Sequence, residues 1–384
     1  MSIGDEKAPV QPPASAAPDV PSPKKIVVCL DGTGNQIGSS EPTNVAKIFQ
    51  MLDLRDPKVQ IAYYDPGVGT LPASSARGRV GRFTSVLGQL AFGNGLQTNL
   101  TQAYTWLMHH YQPNDQIYVF GFSRGAYTAR ALTGMLTRPG LLRPGSENLV
   151  EYAVGEYVNN RTIDDRVKKG IQNFADAFCW GTEKIPLFPE WPEPALFHED
   201  WHCVPVEYLG VWDTVKATGF LQFGDLQWPF TRNLRNVRRA RHAVSIDERR
   251  LPYREYLAKP SSHLEEVWFA GVHSDVGGTF EDPEEKPRLS TIPLKWIADA
   301  VVGELSLRED AYQKYCTVSE DNALGQIHKM GRLWSLAGVR HRPRPENAIL
   351  HASVARRQKS TPSYPRGHSV EQQWADTDWV NPVI

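Results

Sequence analysis

The chain is short of cysteine, of net charge and of long apolar runs, and each shortage excludes a class of protein. Its four cysteines, Cys29, Cys179, Cys203 and Cys316, lie far apart and form no C-x-x-C. That argues against a structural zinc site and against a disulfide framework. Forty-two Lys and Arg stand against 43 Asp and Glu, for a formal net charge of -1. Such a balance gives no electrostatic reason to expect nucleic acid as a partner. No apolar stretch is long enough to span a membrane. Residues 1–23 are rich in Pro, Ala and Ser and have neither a hydrophobic period nor the apolar core of a secretory signal peptide. They read as a disordered leader. A cytoplasmic location is expected, with any export by a signal-independent route.

What is present suits a soluble globule. The 384 residues, 41 % of them apolar, suffice for one large α/β domain with insertions or for two domains. Eleven tryptophans exceed what a minimal core needs, so an aromatic-lined pocket is worth seeking.

The most informative stretch runs from Gln116 to Leu132. Gln116-Ile117-Tyr118-Val119 reads as a short buried strand, and Ala126 to Leu132 as the start of a helix. Between them lies Gly121-Phe122-Ser123-Arg124-Gly125, a G-x-S-x-G. A strand that turns sharply into a helix strains its middle residue, and Gly121 and Gly125 leave room that a Cβ would take. Ser123 would then stand at the carboxyl end of the strand, near free helix N–H groups that favour negative charge. This is the nucleophile elbow of an α/β-hydrolase. The bland alternative is a Gly-rich turn with a passive serine.

The remaining pattern fits that architecture. Lys24 to Leu30 is a continuous apolar run, hence a buried parallel strand, and it ends in the polar loop Asp31-Gly32-Thr33-Gly34-Asn35. Gly32 and Thr33 are candidates for an oxyanion-hole donor, with Asp31 as a loop organiser. Thr43 to Leu52 reads as a capped helix and Val59 to Tyr64 as the next strand. Residues 66–95, carrying Arg77, Arg79 and Arg82, read as a flexible, lid-like loop. Gln97 to Tyr111 is the next expected helix. Residues 143–204, with aromatics such as Phe174, Trp180 and Trp191, interrupt the strand–helix rhythm and read as a helical cap insertion. Val206 to Trp212 resumes the sheet. Ala240 to Arg250 reads as a charged helix or loop, Val267 to Val272 as the last core strand, and Thr291 to Leu307 as a helix. Beyond about Arg308 short helices are expected, then an Arg- and Pro-rich tail that wraps the surface. The expected fold is therefore α/β, with a mostly parallel central sheet and helices on both faces. A single domain would fill 24–384.

A serine hydroxyl needs a neutral imidazole to take its proton, and the imidazole needs a carboxylate to hold its tautomer. Asp213 ends the strand after the elbow unit, and His273 follows the last core strand. The order Ser123, Asp213, His273 is the α/β-hydrolase order. His242 and His351 are alternatives for the base, and Asp275 for the acid. The amide of Arg124 and one from the Asp31–Gly34 loop would form the oxyanion hole. This chemistry needs no metal and no cofactor. Competing readings are a small-molecule carboxylesterase, a catalytically silent binding protein, and a metal-assisted hydrolase using Asp31 and Asp275.

Several segments together resemble one family: Cys29-Leu30-Asp31-Gly32-Thr33, Thr43-Asn44-Val45-Ala46, Tyr64 to Thr70, Phe120 to Arg130, Gly210 to Val215 and Trp268 to Gly278. They are similar to the α/β-hydrolase family of the first class of type VI secretion phospholipase effectors, which has further bacterial and fungal members. The resemblance implies a triad of Ser123, Asp213 and His273 and hydrolysis of phospholipid esters. It implies contact with a membrane surface, and an immunity or secretion partner if the chain is an effector. Gly34 stands where the family usually has an aromatic, which bears on pocket shape.

Overall fold

The computed structural model describes residues 23–32, 42–67, 93–159, 165–181, 202–216, 228–280, 286–329, 338–364, 373–381 and 383. The strands are β1 (Lys25–Leu30), β2 (Gln60–Asp65), β3 (Gln116–Phe122), β4 (Val206–Trp212), β5 (Val237–Ser245), β6 (Leu264–Phe269), β7 (Ile349–His351) and β8 (Gln373–Ala375). They form one sheet in the order β2-β1-β3-β4-β5-β6-β7-β8, and every pairing is parallel.

The helices are α1 (Asn44–Met51), α2 (Gly93–His110), α3 (Arg124–Thr137), α4 (Val150–Asn159), α5 (Asp165–Phe178), α6 (His273–Gly277), α7 (Thr291–Asp299), α8 (Glu309–Cys316) and α9 (Ala352–Ser360). Strand alternation explains why helices lie on both faces. In β1, Ile26, Val28 and Leu30 join a cluster with Leu100 of α2, Leu132 of α3 and Val154 of α4. Val27 and Cys29 join the opposite cluster with Ile48 of α1, Ile297 of α7 and Tyr312 of α8. A strand buried on both faces must be apolar throughout, which is why β1 and β3 read as continuous apolar runs. Thr43 caps α1, its hydroxyl accepting from the Ala46 N–H at 3.1 Å.

Three sequence expectations need correction. Ala240 to Ser245 belongs to β5, a central strand. The charges of Arg239 and Arg241 leave one face of the sheet and find partners there: Arg239 pairs with Glu304 at 2.6 Å, and Arg241 lies over the Trp296 ring at 4.9 Å. Long side chains on a strand can thus snorkel past a helix. The tail does not simply wrap the surface, because β7 and β8 extend the sheet through pairings with β6 and with each other. The helix after Thr291 ends at Asp299, with tight turns beyond it. Segment 143–204 contributes α4 and α5. Phe174 and Trp180 pack against the main core, whereas Phe188, Trp191, Phe197 and Trp201 lie outside the described residues, as do Arg77, Arg79 and Arg82. No helix among the described residues is long and apolar enough to cross a membrane.

Topology fixes where a site belongs. From β1 the chain moves outward to β2, then returns to place β3 on the other side of β1. Ligands of open α/β sheets bind at the carboxyl ends of strands at such a switch point. Asp31 follows β1 there, and Ser123 follows β3.

Candidate active site

The passage from β3 to α3 puts Ser123 at φ 59 and ψ -121, a conformation that costs an L residue about 1–3 kcal/mol. The flanking glycines make the turn possible. A Cβ on Gly121 would stand 2.7 Å from the Gly125 carbonyl oxygen, and one on Gly125 would stand 2.5 Å from the Asp31 carbonyl oxygen and overlap that of Leu30. The first turn of α3 is therefore pressed against the end of β1. Gly125→Ala should destabilise the fold by about 1–3 kcal/mol and lower turnover with it, read by urea unfolding and by kcat. Wild-type values for both would mean that β1 can yield.

Strand register brings the next group alongside. Phe122 of β3 pairs with Trp212 of β4, and the Ser123 N–H donates to the Trp212 carbonyl at 3.0 Å. Asp213 is the residue after Trp212 and, like Ser123, has a positive φ, 39°. His273 is delivered differently from expectation. β6 ends at Phe269, and His273 opens the short helix α6 three residues beyond Ala270. Its ring lies between the face of Phe122, 4.7 Å away, and the edge of Tyr253, 4.8 Å away.

The three side chains form a continuous hydrogen-bonded line. His273 Nε2 lies 2.8 Å from Ser123 Oγ, and His273 Nδ1 lies 2.5 Å from Asp213 Oδ2. An ionised carboxylate only accepts, so Nδ1 carries the proton and Nε2 is left to accept from the serine. All three are buried. Burial works against the Asp213 charge, but the Arg342 guanidinium and the His273 hydrogen bond outweigh it and hold the carboxyl well below its usual range. Burial also lowers the His273 pKa, against the pull of Asp213. The imidazole is therefore neutral near pH 7, the form that accepts a proton.

Two supporting residues were not singled out in the sequence. Arg342 contacts Asp213 with two nitrogens, at 2.5 Å to Oδ1 and 3.0 Å to Oδ2, and also donates to the Ser245 hydroxyl at 2.8 Å. Glu248 is fully buried; its carboxylate accepts the His273 N–H at 3.2 Å and pairs with Arg250 at 2.7 Å. Both sit in charged or Arg- and Pro-rich stretches whose only sequence signal is charge, which ordinarily means solvent.

The other sequence candidates are placed as follows. Arg124 is the first residue of α3, so its N–H has no acceptor within the helix. The Gly32 N–H donates to Asp31 Oδ1 at 2.6 Å, while Asp31 Oδ2 accepts from the hydroxyls of Thr43 at 2.5 Å and Tyr64 at 2.6 Å. Thr33 and Gly34 lie outside the described residues. Asp275 meets His328 at 2.6 Å and accepts the Val272 N–H at 2.9 Å, so it organises the loop around His273 while Asp213 touches the imidazole. Among the described residues, no group of three or more His, Cys, Asp or Glu side chains is arranged to hold a metal ion. His242 lies behind the Asp213 turn, 2.8 Å from Glu266 and accepting the Thr214 N–H at 3.2 Å. His351 caps α9 and contacts Asp376. Neither reaches the serine.

Comparisons with known proteins place the chain in a family. The family described as T6SS, phospholipase effector Tle1-like, catalytic domain, matches residues 24–300. An uncharacterized protein of Saccharomyces cerevisiae, YEL023C, is 31 % identical over 252 residues, which cover 64 % of this chain and 34 % of that protein. A crystal structure of an uncharacterized Pseudomonas aeruginosa protein is similar at 18 % identity and a TM-score of 0.44, covering 82 % of this chain and 52 % of that one. The Tle1 effector bound to the VgrG spike of a type 6 secretion system is similar at 17 % identity and a TM-score of 0.32, covering 69 % and 52 %. The chain thus spans about a third of the yeast relative and about half of each solved chain. Because the family match runs over residues 24–300, well over half of the chain and every strand from β1 to β6, the chain belongs to the Tle1-like phospholipase effector catalytic-domain family.

Proposed function

We propose that the protein is a serine ester hydrolase acting on lipid or phospholipid through an acyl-enzyme. The observation that carries this reading is the unbroken line from Ser123 Oγ through His273 to Asp213. His273 Nε2 takes the serine proton as Oγ attacks the ester carbonyl. Asp213 stabilises the imidazolium that forms. The Arg124 N–H and a donor from the loop after β1 stabilise the oxyanion; the Gly32 N–H is turned to Asp31, and Thr33 is the other candidate the sequence offers for that donor. The imidazolium protonates the leaving alcohol, and water then repeats the sequence against the acyl-serine. Family membership extends the proposal to contact with a membrane surface and to an immunity or secretion partner.

A fluorophosphonate probe should label Ser123 stoichiometrically and stop acyl release from phospholipid vesicles. Labelling with turnover of short soluble esters alone would replace the lipid substrate with a small-molecule one. Absence of labelling in folded protein would overturn the serine mechanism.

A further inference from the structure

Among the described residues, two of the arginines beside Ser123, Asp213 and His273 are held by carboxylates. Arg342 is held by Asp213, and Arg250 by Glu248. Arg124 is only 7 % exposed, yet its guanidinium makes no hydrogen bond or ion pair with the described residues. It lies near Tyr253, whose ring is edge-on to His273 at 4.8 Å. Burial pushes its pKa down to about 10, so it stays charged at neutral pH. A buried cation without a counter-charge is costly. Here it stands beside the nucleophile, at the amino terminus of α3, where the helix dipole adds positive potential.

We infer that the Arg124 guanidinium is a substrate-anion subsite that receives a phosphate group while its own backbone N–H faces the scissile carbonyl. The inference rests on the serine-hydrolase reading for the identity of the reacting bond. One residue then measures the distance between two parts of a substrate. A planar guanidinium suits a phosphodiester because it can donate two parallel hydrogen bonds. A neutral acylglycerol would leave the cation without a charged partner. Discrimination therefore has two sources: the hydrogen bonds made to the phosphate, and the pairing of a cation that burial has largely stripped of water.

The test compares kcat/KM for a soluble short-chain diacylglycerophosphocholine with that for the diacylglycerol of the same chains. The ratio should fall roughly ten- to a hundred-fold in Arg124→Gln and recover in part in Arg124→Lys. Equal proportional losses on both esters would overturn the subsite, since Arg124 would then act on the carbonyl or the fold. A second measurement does not need turnover: calorimetric binding of glycerophosphocholine and of inorganic phosphate to Ser123→Ala protein, with and without Arg124→Gln. Arg124-dependent glycerophosphocholine binding supports the subsite even if no ester is hydrolysed, in which case the hydrolase reading alone fails. Arg124-dependent binding of inorganic phosphate with an unchanged substrate ratio rules out the lipid headgroup as occupant. Turnover with an unchanged ratio and Arg124-independent glycerophosphocholine binding leaves the hydrolase standing and removes the subsite.

Discussion

Ser123→Ala is expected to lower kcat on any ester by roughly a thousand-fold to a million-fold while leaving the melting temperature nearly unchanged. The loss is large because the three residues act as a unit: without Oγ, His273 has no nucleophile proton to take and Asp213 has no imidazolium to stabilise. Residual turnover would come from the oxyanion donors and from substrate positioning. The fold should tolerate the change because alanine keeps the Cβ and with it the strained backbone at φ 59. It removes one hydrogen bond, that between Oγ and His273. Steady-state kinetics and a thermal melt on the same preparation make the check. Near-wild-type kcat would move the nucleophile elsewhere, and a collapsed melt would make Ser123 a structural residue.

Arg342→Met should produce the second largest effect, on stability and on the pH profile together. Asp213 is 1 % exposed and Arg342 8 %. Removing one partner of a buried ion pair leaves the other charge without compensation, at about 3 kcal/mol. The remaining hydrogen bonds from His273 and the Ser245 N–H keep the loss near that lower end of the usual range. The folded Asp213 pKa lies below its unfolded value. The pair's contribution is therefore complete above the unfolded carboxylate pKa of about 3.9 and is lost as pH falls toward the folded one. Wild type and variant should differ most near neutrality and converge in acid.

Catalysis should report the same change. With Arg342 gone, the full Asp213 charge acts on the imidazole and raises the His273 pKa. The acid limb of kcat/KM, which follows loss of neutral His273, should then move to higher pH. A looser carboxylate should also cost about a hundred-fold in kcat at the optimum. Lower stability with an unmoved acid limb would make Arg342 a fold residue with no hold on the base.

The supporting shell reaches beyond the matched family region. Arg342 lies after residue 300, as does His328, which holds Asp275. The segment that completes the sheet with β7 and β8 thus also clamps the acid turn.

Local order was legible in the sequence where one short stretch contains the whole physical reason. The elbow is such a case: a buried apolar strand, two glycines around a serine and a good helix former afterwards dictate a strained turn at position 123. Asp213 and His273 were legible for a related reason, since parallel strands put their carboxyl ends on one edge and the residues after them must share it. Tertiary structure alone decided the rest. β5 carries Arg239 and Arg241 because neighbouring helices offer Glu304 and the Trp296 ring, partners far away in the chain. Arg342 and Glu248 are buried because each meets an opposite charge inside the fold. A charged side chain looks like surface until its partner is known, and long-range pairing, which no local pattern encodes, is what supplies that partner.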